Sequence, residues 1–197
     1  MNQKEIPNSI DFDYDNFLDG TQIIEERKQI DLILDKIKSS LKESNKKFNN
    51  LKLIYSAVED GDSVEDFHKK CDGYAPIIVF IKTDKNVIFG GYTEVPFYAT
   101  KKKVENKDDN AFIFSIDKMK IYEAEKGAAA TCSLKNYGPV FYGYKHENIY
   151  LIDDFFSDRG NVARKGDRYN TTEDFEINNG EENFYVKELE IYKVFYK

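Results

Sequence analysis

The chain has 197 residues, with 29 Lys and Arg against 36 Asp and Glu, so its formal charge is −7. That length suits one domain with a sizeable core, and 15% aromatic residues exclude an intrinsically disordered chain. The acidic balance argues against a nucleic-acid partner, which needs a surplus of Lys and Arg on one face.

Residues 1–20 are polar and acidic with scattered aromatics, and read as a flexible lead-in. From Thr21 to Ser44 the spacing predicts one long amphipathic helix. Its stripe is Ile23, Ile30, Ile33, Leu34, Ile37 and Leu41. Residues 21–50 are therefore expected to form a helical segment that packs on a domain of residues 51–197. Leu51 to Tyr55 reads as a strand, and Ser63 opens a short helix carrying Val64, Phe67, His68 and Cys71. Ile77–Lys82 and Val87–Tyr92 read as a hairpin across Thr83-Asp84-Lys85-Asn86.

Glu94 to Asn110 reads as a long loop. Further strands are expected at Ala111–Ile116, Lys120–Glu123, Ala128–Cys132, Val140–Tyr144 and Ile149–Ile152, followed by a loop from Asp153 to Thr172. The last run, Phe184 to Phe195, alternates: Leu189 and Ile191 face one way, Glu188 and Glu190 the other, which predicts a strand with one wet face. Many short strands with few helices point to an α+β, mainly β fold: a two-sheet antiparallel β-sandwich flanked by helices.

Catalytic chemistry is thinly represented. Cys71 and Cys132 are too few for a secreted disulfide scaffold. Met1 to Glu5 opens no apolar signal segment, and Asn2 stands where N-myristoylation needs Gly. The longest apolar run, Ile77 to Ile81, is far shorter than the roughly 20 residues of a membrane helix. A cytoplasmic chain without membrane insertion is expected. His68 and Cys71 lie at i and i+3 of a helix, where an imidazole could activate a thiol; the bland reading buries Cys71 and Phe67 and leaves His68 to a backbone group. His68, Cys71, Cys132 and His146 could make one zinc site, but their spacing is not that of two close pairs. Asp153, Asp154, Asp158 and Asn161 offer oxygen ligands for calcium, without the Gly and Glu positions of an EF-hand. No phosphate-binding glycine loop or nucleophile elbow occurs, and Gly90-Gly91 marks a bulge or a close backbone approach.

A more specific signal runs from Leu53 to Tyr192. It comprises Leu53-Ile54-Tyr55-Ser56-Ala57, Asp60-Gly61-Asp62, Phe67-His68-Lys69-Lys70-Cys71-Asp72-Gly73, Ile88-Phe89-Gly90-Gly91-Tyr92-Thr93, Asn110 to Ser115, Tyr137-Gly138-Pro139-Val140-Phe141 and Phe184 to Tyr192. In this order the chain resembles the TLDc domain of the oxidation-resistance protein family, over about residues 51–196, with Gln22-Ile23-Ile24 resembling the stretch that precedes many such domains. Family members often carry a Trp shortly after Gly-Gly-Tyr-Thr, where this chain offers Phe97 or Tyr98.

The resemblance implies a β-sandwich and a role in the oxidative stress response through binding and regulation of the vacuolar-type proton ATPase, with recruitment to the surface of acidic organelles. It brings no active site and no cofactor. The positions it marks are Asp60, Gly61, Phe67, His68, Cys71, Asp72, Gly90, Gly91, Tyr92, Gly138 and Pro139. Phe67, Phe89, Phe112, Phe114 and Phe141 are expected between the sheets, and Asp60 and Asp72 to accept backbone N–H bonds. The alternative function is a redox sensor or enzyme using Cys71 with His68. A further alternative is an adaptor whose N-terminal helix pairs with a partner helix.

Overall fold

The computed structural model describes residues 12–41, 46–143 and 148–197. Two antiparallel six-stranded sheets stack face to face. The strands of the first are β1 (Phe48–Ser56), β2 (Ile77–Thr83), β3 (Ile88–Thr93), β5 (Phe112–Ser115), β6 (Lys120–Glu123) and β12 (Val186–Tyr196), in the order β1-β12-β2-β3-β5-β6. The second runs β11-β10-β9-β8-β7-β4, from β4 (Val104–Lys107), β7 (Ala129–Ser133), β8 (Val140–Phe141), β9 (Ile149–Tyr150), β10 (Asn161–Ala163) and β11 (Asn183–Phe184). The helices are α1 (Tyr14–Gly20), α2 (Arg27–Ser40), α3 (Ala57–Asp60) and α4 (Val64–Cys71).

The central strands β2, β3 and β5 of the first sheet are buried on both faces, and period-two alternation sorts their side chains. In β2, Ile77, Val79 and Ile81 join Phe89, Phe141, Phe155 and Phe184 between the sheets. Ile78 and Phe80 point the other way, onto the apolar stripe of α2. This corrects one expectation: Phe112 and Phe114 lie on the outer face beneath α2, and Ile113 between them faces the sandwich core.

Gly90-Gly91 makes both faces possible. Gly90 pairs with Phe80 on one side and Phe114 on the other, so the rings meet above it, 5.5 Å between centroids. A Cβ there would stand 1.9 Å from the Val79 carbonyl oxygen. At Gly91 a Cβ would stand 2.3 Å from the Phe141 ring, which the opposite sheet drives against this bare backbone.

The expected long helix from Thr21 is absent. Thr21 to Ile24 is not helical, and α2 begins at Arg27. The local backbone has other partners: Gln22 N–H donates to Glu190 Oε1 at 2.7 Å, and Thr21 Oγ1 accepts from the N–H groups of Ile23 and Ile24. Within the expected lead-in, Tyr14–Gly20 form α1 with Asp13 as cap, and Phe12 and Phe17 are buried; residues 1–11 lie outside the described residues. Ile30, Ile33, Leu34 and Ile37 are fully buried on the first sheet, so the stripe is used within the fold rather than presented to a partner helix.

The face of β12 expected to be wet is also covered. Glu190 is 3% exposed, and its Oε2 accepts from Thr21 Oγ1 at 2.6 Å and from the Tyr192 hydroxyl at 2.9 Å. Two expected loops each contain a strand, β4 within 94–110 and β10 within 153–172.

Candidate functional site

The signature positions gather around α4 and around the glycine pair. Ser63 caps α4 by accepting from Asp66 N–H, and Val64 N–H donates to Asp153 Oδ1 at 2.9 Å, tying the helix start to the acidic loop. Upstream, Asp60 accepts from Ser56 N–H at 3.1 Å and pairs with Lys70 at 2.7 Å. Burial opposes the Asp60 carboxylate, but the Lys70 and Ser56 hydrogen bonds and the Lys70 charge outweigh it, holding its pKa below the ordinary value. Gly61 sits at φ +108°, where a Cβ would stand 2.3 Å from Asp66 Oδ2, and its carbonyl accepts from the Tyr55 hydroxyl at 2.7 Å.

At the other end, Asp72 Oδ1 meets His68 Nδ1 at 2.6 Å while Asp72 Oδ2 accepts from Ala99 N–H at 2.8 Å. His68 Nε2 lies 3.3 Å from the Leu134 carbonyl oxygen. Both partners are acceptors, so each contact is a hydrogen bond only where the facing ring nitrogen carries its proton: Nδ1–H donates to Asp72, and Nε2–H to the Leu134 carbonyl. Gly73 N–H donates to the Phe97 carbonyl at 3.1 Å. This end of α4 therefore pins the 97–103 loop and the turn after β7. Phe97 fills the core position there, buried against Phe67 and Phe141, while Tyr98 is 49% exposed.

Cys71 is fully buried in the inter-sheet core, and that burial pushes its thiol pKa well above its ordinary range, with the Asp72 and Asp60 charges adding to the shift. A nucleophile needs the opposite environment. Both His68 nitrogens already face oxygen partners. Cys132 belongs to a separate cluster with Val140 and Tyr142, so the two thiols of the zinc reading are not brought together; His146 lies outside the described residues. Among the described residues no three His, Cys, Asp or Glu side chains converge on a metal position. In the acidic loop Asp153 serves Val64, Asp158 Oδ1 accepts from Gly160 N–H at 2.7 Å, and the buried Asn161 amide bonds the backbone of Ile152, Phe155 and Asp158.

The remaining signature residues support packing. The Tyr92 hydroxyl donates to Glu94 at 2.8 Å and meets the Tyr196 hydroxyl at 2.5 Å. Gly138 N–H donates to the Leu151 carbonyl at 2.9 Å, with the Phe155 ring against its Cα, and Pro139 is buried beside it. One surface groove of about 590 Å³ runs between α1 and the β1 edge, past Phe17, Leu53 and Phe195. Another, of about 550 Å³, is lined by Arg159, Glu181, Glu182 and Asn183. His68 and Cys71 line neither.

Residues outside the marked positions also matter. Glu190 fastens the N-terminal segment through Thr21 and Gln22, and Asp153 holds the start of α4. In the sequence the first lies inside the Phe184–Tyr192 stretch, as a carboxylate alternating with apolar residues. No helix among the described residues is long and apolar enough to cross a membrane.

A search of curated proteins returned no match. The family model described as the TLDc domain matches residues 19–195, beginning upstream of α2 and running almost to the end of β12. With nearly the whole chain matched, and two antiparallel sheets stacked around the marked glycines, the chain belongs to the TLDc domain family.

Proposed function

We propose that this protein is a non-catalytic binding module of the oxidative stress response, which acts by docking on the vacuolar-type proton ATPase and regulating it. The observation that carries the reading is the TLDc match across residues 19–195. The geometry supports it: the residues that most resemble chemistry, His68, Cys71 and Asp72, are spent inside the fold on helix ends, a loop and the core. Binding through surface loops on a rigid sandwich is the mode open to such a molecule. On this reading it works in the cytoplasm, at the surface of acidic organelles.

The test is direct. Purified protein is added to isolated proton-pump complexes, and co-sedimentation and ATP hydrolysis are measured with and without prior peroxide treatment. The expected result is stoichiometric association with a change in hydrolysis rate. Absence of association under both conditions overturns the pump as target.

A further inference from the structure

We propose that the surface at the carboxyl end of α4 is a docking site for an acidic polypeptide segment. Three chain segments meet there. Gly73 N–H and Asp72 Oδ2 hold the Phe97–Ala99 backbone, the Thr100 carbonyl accepts from Lys135 N–H at 2.9 Å, and Thr100 Oγ1 donates to the Ser133 carbonyl at 2.8 Å. These bonds bring Lys69, Lys101, Lys102 and Lys135 to one end of the molecule, all exposed and without an ion-pair partner among the described residues. Lys103 lies over the Tyr142 ring at 3.9 Å beside them, and the Glu105 carboxylate close by accepts from the Tyr142 hydroxyl at 2.9 Å. In a chain of net charge −7, this is a concentration of positive charge against the global sign.

Two tyrosines stand within it. Tyr74 and Tyr98 are 48% and 49% exposed, and the Tyr98 ring passes over Gly73, where a Cβ would touch it at 3.8 Å. Half-exposed tyrosines held on a bonded loop give a partner apolar area and hydroxyls at little entropic cost, the composition of an interface centre. Lysines around them attract carboxylates and speed encounter.

The occupant is narrow. The opposite end of α4 carries exposed Glu65 with Asp153, Asp154 and Asp158 in the adjoining loop. An eight-residue helix is about 12 Å long, close to the ~8–10 Å screening length at physiological salt. An anionic bilayer laid on this face meets the carboxylates as well as the lysines. A single acidic chain covers the basic end alone.

The experiment uses the whole protein and needs no pump, so its failure is separate from that of the function proposed above. A short fluorescein-labelled glutamate oligomer is titrated by anisotropy, in parallel with phosphatidylserine vesicles. The expected result is oligomer binding that falls with salt, drops about tenfold or more in K101E/K102E, weakens in Y98A, and is unchanged in the distant control K126E. Circular dichroism checks that each variant is folded. Equal loss in K126E and K101E/K102E, oligomer binding insensitive to both, no oligomer binding, or vesicle binding in its place each overturns the proposal.

Discussion

Removing the Glu190 carboxylate is expected to release the N-terminal segment from the first sheet. The carboxylate is 3% exposed and accepts from Thr21 Oγ1, Gln22 N–H and the Tyr192 hydroxyl at 2.6, 2.7 and 2.9 Å. Hydrogen bonds to a charged group contribute about 1.5–3 kcal/mol each, but the three share one acceptor group and are not additive. Stranding their donors in a buried site sets the net cost of Glu190→Ala at about 3–5 kcal/mol. At this chain length that corresponds to a fall of about 6–20 °C in Tm. Glu190→Gln keeps the shape and one carbonyl acceptor, so its cost is about 1–2 kcal/mol. The assay is urea unfolding of both variants together with hydrogen exchange, where protection is lost first in residues 21–40. In a double-mutant cycle with Thr21→Ala, the two changes couple. A Glu190→Ala variant within 0.5 kcal/mol of the parent, taken as about the scatter of surface substitutions, with 21–40 still protected, refutes the reasoning.

Other outcomes follow from the same contacts. Gly91→Ala places a methyl 2.3 Å from the Phe141 ring and is expected to cost about 1–3 kcal/mol in urea unfolding, with part recovered in Gly91→Ala/Phe141→Leu. Phe114→Ala empties the ring position between Phe80 and α2 and is expected to cost about 3–5 kcal/mol, read from the same denaturation curves. Asp60 has a depressed folded pKa, so its stabilising contribution is present above about pH 4 and is lost as pH falls through the folded value; Asp60→Asn is expected to flatten that part of a stability–pH curve. Iodoacetamide is expected to label Cys71 only at denaturant concentrations that unfold the protein, and rapid labelling of the folded chain revives the thiol reading.

The sandwich was legible because β2, β3 and β6 carry their own signal: apolar runs or alternation with turn residues between them. Other features depend on partners far along the chain. Ile23 shares a helical stripe with Ile30 and Ile37, yet its segment is pulled out of helix by a carboxylate 168 positions from Gln22. No local pattern contains that information. For the same reason Glu190 read as solvent-facing, since alternation separates the faces of a strand without saying what covers them. β4 was hidden because it is a solvated strand, Val104-Glu105-Asn106-Lys107, at the sheet border, and β10 because Asn161 is buried by its amide bonds rather than by apolarity. At the candidate site the motif residues could be quoted from the sequence. The oxygens that occupy His68, from Asp72 and Leu134, needed the fold, and so did the bonds that join the end of α4 and the turn at Lys135 to the 97–101 loop.

This division of labour bears on how binding by the protein has to be dissected. Phe67, Cys71, Gly91 and Pro139 are buried, and Asp60, His68 and Asp72 are committed to internal bonds. Replacing any of them disturbs the scaffold, and a scaffold defect weakens every surface function together. Loss of a partner in such a variant therefore carries no information about where that partner sits. The exposed loops behave differently: Lys101, Lys102 and Tyr98 rest on backbone hydrogen bonds that their own side chains do not make. Substituting them leaves α4 and the sheets in place while changing the charge and area a partner meets. Binding lost in K101E/K102E with an unchanged unfolding midpoint locates an interface, whereas binding lost in His68→Ala together with a lowered midpoint locates only the support beneath it.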